Sequence, residues 1–304
     1  MSLRDRLTSG SFAVTAEISP PRGATIDPIT ATAALLRDWV DAVNVTDNQG
    51  SNVRLASWAG SLAALQAGLE PVMQMTCRDR NRIALQSDLL GASALGIRNV
   101  LVMTGDHPKF GDHPEAKPVF DLDSVQLLWT LRHMRDQGAL LSGRALKPPP
   151  DCFLGAVENP SAPPAEFRAD RLGKKIDAGA QFVQTQFVFD VAAFARWMTQ
   201  VRELGLHEKC YILAGVGAVR SRNALDFMRD KVPGVHVPDD VYRRLHAVPA
   251  DQTAAEGARL AAEIIQQLSA IDGVAGVHLL VAGNEQAVPG ILDSAGVRAV
   301  RDGR

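Results

Sequence analysis

Eight short apolar runs are spaced along this chain, and amphipathic stretches fill the gaps between them. The runs occupy residues 12–17 (FAVTAE), 42–47 (AVNVTD), 71–77 (PVMQMTC), 99–105 (NVLVMTG), 152–158 (CFLGAVE), 181–188 (QFVQTQFV), 210–217 (CYILAGVG) and 276–283 (GVHLLVAG). Val, Ile, Leu and Phe dominate them, as expected of strands covered on both faces in a parallel sheet. The segments between carry apolar residues at helical spacing: 29–40; 51–68, with Trp58, Leu62 and Leu65; 80–95, with Leu85 and Leu89; and 123–137, with Leu128, Leu131 and Met134. Further helices are expected at 165–178, 191–204, 221–231 and 251–271, with a short extra one at 239–246 after Pro238. The Asp-x-Asp-Ser text at 121–124 reads as an N-terminal cap, and Gly179 as a C-cap.

Strand–helix alternation repeated eight times predicts an α/β fold, a (β/α)8 barrel, with a doubly wound sheet plus a small second domain as the competitor. The length of 304 residues would divide into two domains of about 150, but a barrel uses about 250 as one. No linker separates two halves, so residues 1–304 are expected to form one barrel domain; the proline-rich stretch 147–151 reads as a stiff connection. Lys plus Arg number 32 against 34 Asp plus Glu, a net charge of -2, so no basic excess exists to hold a nucleic acid backbone. No apolar stretch is long enough to span a bilayer, and MSLRDRLTSG lacks the apolar core of a signal peptide. Three widely separated cysteines, Cys77, Cys152 and Cys210, fit a reducing cytoplasm.

In such barrels the chemistry comes from the C-terminal ends of the strands. Those ends carry Glu17; Thr46, Asp47, Asn48 and Gln49; Gln74 and Thr76; Thr104, Gly105 and Asp106; Glu158 and Asn159; Gln184 and Gln186; Gly215 and Gly217; and Gly283 and Asn284. Carboxylates there can serve as a general acid and an electrostatic partner, and glutamine amides can hydrogen-bond a heterocycle. The plainer alternative is that a strand-end Glu caps a helix or bridges to a Lys. One of Gln184 and Gln186 is expected to be structural. The AGVGAV glycines at 214–219 either cradle a phosphate with backbone amides or only permit a tight turn. The 105–120 loop repeats Gly-Asp-His-Pro and reads as a proline-stiffened lid, not a metal site. The remaining histidines are scattered and read as surface or core. Most Trp and Phe read as core, with one near the mouth available to stack on a flat ligand.

Six stretches in order resemble the methylenetetrahydrofolate reductase family over roughly residues 12–300: AEISPP around Glu17, VNVTDNQG, QMTC, MTGD, KKIDAGAQFVQTQFVFD at 174–190, and AGVGAV. The 105–128 loop with its helix and KVPGVHVPDD are similar to the branch found in anaerobes and one-carbon catabolic bacteria. The resemblance implies a flavin-dependent barrel with FAD at the strand ends, NADH or NADPH as electron donor, and ping-pong hydride transfer to methylenetetrahydrofolate, giving 5-methyltetrahydrofolate. FMN, or no tightly bound flavin, are the alternatives for the cofactor. It implies Glu17 as the general acid that opens the imidazolidine ring, Asp106 as the aspartate beside flavin and pterin, and Gln186 as the pterin ligand. Flavin contacts would come from Thr46, Gln74, Met103, Thr104, Gly105 and Asp106. Ala156 and Asn159 would line the adenosine and ribityl side, and Lys174 and Lys175 would meet the phosphates.

The chain departs from the family pattern in four places. Gln74 stands at the position of a histidine, AGVGA replaces a Pro-Gly-Ile-x-Pro motif, Asn284-Glu285 replaces Asn-Arg, and AEISPP replaces FEFFPP. Two other readings stay open. One is a barrel enzyme for another phosphorylated substrate. The other is a catalytic or folate-binding subunit of a larger electron-transfer complex; a homo-oligomer is a further possibility for the assembly.

Overall fold

The computed structural model describes residues 1–232, 234–281 and 283–297. Pro233 of KVPGVHVPDD, Ala282 of the eighth apolar run, and the last residues of the resemblance lie outside them. The elements run α1 (Leu3–Thr8), β1 (Ala13–Ile18), α2 (Asp27–Leu36), β2 (Ala42–Val45), α3 (Ser57–Gln66), β3 (Pro71–Thr76), α4 (Arg82–Ala94), β4 (Asn99–Met103), α5 (Ser124–Gln137), β5 (Phe153–Glu158), α6 (Arg168–Ala178), β6 (Phe182–Phe187), α7 (Val191–Glu203), β7 (Tyr211–Gly217), α8 (Arg222–Lys231), α9 (Asp239–Ala247), α10 (Thr253–Ser269), β8 (Val274–Leu280) and α11 (Val288–Ala295). The strands close a parallel barrel in sequence order, β8 pairing back onto β1. The expected fold class is therefore the observed one.

The helix assignment differs at the ends. Three helices, α8, α9 and α10, fill the crossover from β7 to β8, so the helix after β8 is α11. Neither α11, with 8 residues, nor α1, with 6, is long enough to display a 3.6-residue period. The helix expected from residue 51 starts at Ser57, because Asn48, Gly50 and Ser51 hold left-handed backbone with φ of 48°, 63° and 61°. Asp123 caps α5 through a reciprocal box with Gln126, and Gly179 ends α6 at φ 129°.

Alternate residues of a strand face opposite sides, and two apolar clusters mark the sides here. The large one lies between sheet and helices and takes Val14, Ala16, Val43, Met73, Val100, Leu154, Val183 and Val216. The small one fills the bottom of the barrel interior with Ala13, Ala42, Val72, Leu101, Phe153, Phe182 and Leu213, over Leu3 and Leu7 of α1. Two residues further along the same inward faces the filling turns polar. Gln184 and Asn44 exchange amide hydrogen bonds at 2.5 and 3.1 Å, and Gln184 also donates to Thr15 Oγ1 at 3.1 Å. His278 Nδ1 meets that same hydroxyl at 2.9 Å. Burial pushes the His278 pKa down to about 3, so the ring stays neutral. Glu17, Thr46 and Gln74 continue these faces toward the mouth.

Candidate active site

Three carboxylates lie buried at the strand ends, and their partners separate them. Asp47 continues the outward face of β2. It accepts from Thr76 N at 2.8 Å and Thr76 Oγ1 at 2.9 Å, and it is salt-bridged to Arg80. Glu158 takes the outward face of β5, where it pairs with Lys175 of α6 at 2.7 Å and with Arg168 at 3.9 Å. Glu17 faces inward. Its partners are amides: Gln49 Nε2 donates to Oε1 at 3.1 Å and Gln74 Nε2 to Oε2 at 3.4 Å. Burial pushes the Glu17 pKa up to about 7; the Gln74 and Gln49 donors pull against it, and the charge of Glu285 across the mouth adds to the rise. The bridging alternative expected of a strand-end Glu thus describes Glu158 and not Glu17.

Gln49 reaches Glu17 from the left-handed turn after β2, where its own Oε1 accepts from Ser19 Oγ at 3.0 Å. That turn is fastened to the loop after β4. Ser51 Oγ donates to Asp106 O at 2.9 Å, and the Asp112 carboxylate accepts from Val53 N at 3.1 Å. Gly111 lies so close to Ser51 O that a Cβ there would overlap it. The Asp106 side chain is exposed on this loop, and Gly105 takes φ +89° against Thr76 and Arg78. Met103 packs half-buried onto the inner cluster, and Thr46 Oγ1 is buried with no hydrogen-bond partner among the described residues. Gln184 faces inward, but the β6 register slips between Gln184 and Phe187, so simple alternation does not carry on to Gln186. Gln184 is locked in the polar layer, while Gln186 is half-buried nearer the mouth and accepts from Phe187 N at 3.0 Å.

Beside the mouth a cavity of about 370 Å³ is lined by Thr104, Ser124, Phe167, Arg168, Arg171 and Lys174, among others. Phe167 is 61% exposed there. The carboxylates of Asp123 and Asp170 line it as well, and Arg168 is already engaged by Ala162 O and Pro163 O, which leaves Arg171 and Lys174 as the cations that face the space. Lys174 belongs to this wall, but Lys175 does not: it is 4% exposed and donates to Val157 O and Glu158. The expected lysine pair is therefore split, because neighbouring residues on α6 point to different sides. Ala156 sits in the sheet–helix core, 1% exposed, so its side chain is not offered to a ligand at the mouth. Asn159 is half-buried, accepts from Ser161 N at 3.2 Å and packs under Gly234.

The β7 glycines have a third explanation beyond the two expected. A Cβ at Gly215 would overlap Thr185 O, and one at Gly217 would meet the Phe187 ring at 2.5 Å. They let β7 close against the irregular end of β6. Among the described residues no group of three or more His, Cys, Asp and Glu side chains is arranged to hold a metal ion. The three cysteines are free and buried. Sequence reasoning missed Arg78, Arg168 and Arg171 and gave Gln49 no partner. Arg168 and Arg171 sit at the start of the predicted helix facing the mouth, and that position was the available signal.

A family model described as Methylenetetrahydrofolate reductase matches residues 2–296. The chain is 24% identical over 265 residues to "Probable methylenetetrahydrofolate reductase (NADPH)" of Caenorhabditis elegans, covering 84% of this chain and 37% of that protein. It is 25% identical over 298 residues to "5,10-methylenetetrahydrofolate reductase" of Pectobacterium carotovorum subsp. carotovorum, covering 95% and 92%. The chain thus spans well under half of the nematode relative and nearly all of the bacterial one. A Clostridium thermocellum protein, described as binding two copies of 5-methyl-5,6,7,8-tetrahydrofolic acid, superposes with a TM-score of 0.68 at 14% identity, covering 95% of this chain and 97% of its own. That likeness shows the shared fold.

Proposed function

The chain belongs to the methylenetetrahydrofolate reductase family, and from that premise we propose that it reduces 5,10-methylenetetrahydrofolate to 5-methyltetrahydrofolate, using a bound flavin and NADH or NADPH, with Glu17 as the proton donor. The observation that carries this reading is that, among the described residues, Glu17 pairs with no cation while the other two buried strand-end acids are ion-paired. Opening the imidazolidine ring breaks a carbon–nitrogen bond, and the departing nitrogen needs a proton. An acid whose pKa lies near 7 holds that proton at working pH and yields it readily. The carboxylate left behind is stabilised by the Gln49 and Gln74 donors, and a proton from solvent resets it.

The residues at the mouth fit FAD. The Thr46 hydroxyl, without a partner among the described residues, offers a hydrogen bond to a ring edge, and Arg171 and Lys174 face a space that would take a pyrophosphate. When bound, the flavin supplies a two-electron carrier that takes hydride from reduced nicotinamide and gives it to the methylene carbon. Gln186 would orient the pterin through its free amide group. Asp106 would lie beside flavin and pterin, its backbone fixed by Ser51 and its carboxylate free. The buried, unpaired thiols support a cytoplasmic setting.

The test is an absorbance spectrum of the purified protein after incubation with FAD, followed by titration with NADH or NADPH and then with methylenetetrahydrofolate. Flavin absorbance, bleaching by the nicotinamide and recovery on adding the folate are expected. A protein that takes up no flavin, or a reduced flavin that the folate does not reoxidise, would overturn the proposal.

A further inference from the structure

Arg78 is buried at 2% side-chain exposure just past the end of β3, yet it faces neither a substrate space nor a lone acid. It sits where three loops meet. Its guanidinium donates to Asn48 O at 3.2 Å and to Ser51 Oγ at 3.1 Å in the loop after β2, and to Asp106 O at 3.3 Å in the loop after β4. Its fork is completed by Asp79, which it grips twice at 2.7 Å, and Asp79 in turn accepts from Asn48 Nδ2 at 3.3 Å. A guanidinium suits such a junction because its planar donors are fixed in direction and it keeps its charge when buried.

The turn has bonds of its own, Ser51 N donating to Asn48 O at 2.9 Å and Arg54 N to Asn48 Oδ1 at 3.0 Å, and Arg78 adds the tie that joins it to β3 and to the loop after β4. Asn48, Gly50 and Ser51 occupy left-handed backbone, which side chains other than glycine adopt only when their surroundings impose it. Gln49 lies in the middle of that turn and reaches Glu17. From this geometry we propose that Arg78 is a positioning residue, which sets the proton donor by clamping the 48–51 turn so that the Gln49 amide stays on Glu17. The inference rests on the reading of Glu17 as the acid and adds the device that supports it. The charged groups around Arg78 are Asp79, Asp47 and Asp106. Among the described residues the charged group that bears on Glu17 is Glu285, with Gln49 and Gln74 as donors. Loosening the turn removes a donor that favours the carboxylate, so the Glu17 midpoint should move further up.

The experiment is an infrared pH titration of the protonated carboxyl band of Glu17, identified by its loss in Glu17→Gln, on the full-length protein. In Gln49→Leu the midpoint is expected to rise. In Arg78→Gln it should rise in the same direction, in the double variant no further than in either single one, and in Arg78→Lys it should return partway. Ser51→Ala, which removes one strap of the same junction, should give a smaller rise and serves if Arg78→Gln does not fold. A midpoint unmoved in Arg78→Gln or Ser51→Ala while Gln49→Leu raises it would overturn the inference. So would additive shifts in the double variant. The functional reading fails separately: if Glu17→Gln still reduces the folate, Glu17 is not the acid, whatever the titrations show.

Discussion

Lys175 Nζ donates to Glu158 Oε2 at 2.7 Å on the helix side of the barrel, and this pair divides the buried acids by role. Glu158 has a cation at hand. Glu17, on the opposite face of its own strand layer, has only amides and keeps its proton until near neutrality. One acid is fitted to hold structure together and the other to move a proton.

Replacing Glu17 by Gln should leave reduction of the flavin by the nicotinamide intact and slow transfer to the folate by about 100-fold or more, the usual range for a lost general acid. Rapid-mixing measurements of the two half-reactions check it. Equal losses in both would remove the assigned role.

The folate half-reaction should fall as pH rises through about 7, because the acid form of Glu17 is the active one. The same shift predicts a stability effect. The folded state binds this proton more tightly than the unfolded chain does, so stability is lost as pH rises from the ordinary carboxylate range through about 7. Glu17→Gln should therefore be more stable than the parent at pH 8, by at most about 3.4 kcal/mol at about 1.36 kcal/mol per pKa unit, and the gap should narrow several-fold at pH 5. Thermal melts at the two pH values decide it; an equal gap at both would refute the burial account.

Lys175→Met strands Glu158 among buried groups and should cost about 3–5 kcal/mol in urea unfolding. Adding Glu158→Gln should recover part of that loss. Burial pushes the Lys175 pKa down while Glu158 holds it up, so the lysine by itself is not expected to tolerate loss of its partner either. Full stability in the single variant would show that the pair contributes nothing.

Lys174→Ala should behave in the opposite way. It lies on the cavity wall with Arg168 and Arg171, so its loss should weaken FAD binding by roughly tenfold, more at low salt, with a change in stability within about 0.5 kcal/mol. Fluorescence titration of FAD at two salt concentrations tests it. Unchanged affinity would place the phosphates elsewhere.

Gly215→Ala should destabilise the barrel by about 1–3 kcal/mol or more, through overlap with Thr185 O, with or without phosphate present. A stability change that depended on phosphate would restore the phosphate-cradle reading of this segment.

The strand–helix alternation, legible residue by residue, pointed to the barrel over the doubly wound sheet. Eight apolar runs with helices between them leave a closed parallel barrel as the economical solution, since each run must be covered on both faces and each crossover must be right-handed. It also placed Glu17, Gln74 and Gln186 at strand ends, because a strand's end is a local property. Which acid goes without a cation emerges from the folded chain alone. Glu158 finds its lysine 17 residues away, Asp47 its arginine 33 away, and Glu17 its glutamine 32 away. Such pairings depend on the barrel's stagger and on which face a side chain takes, and neither distance nor face can be read from neighbours in the chain. The split of Lys174 from Lys175 has the same origin: two adjacent, chemically identical residues acquire different roles because a helix turns them toward different surroundings.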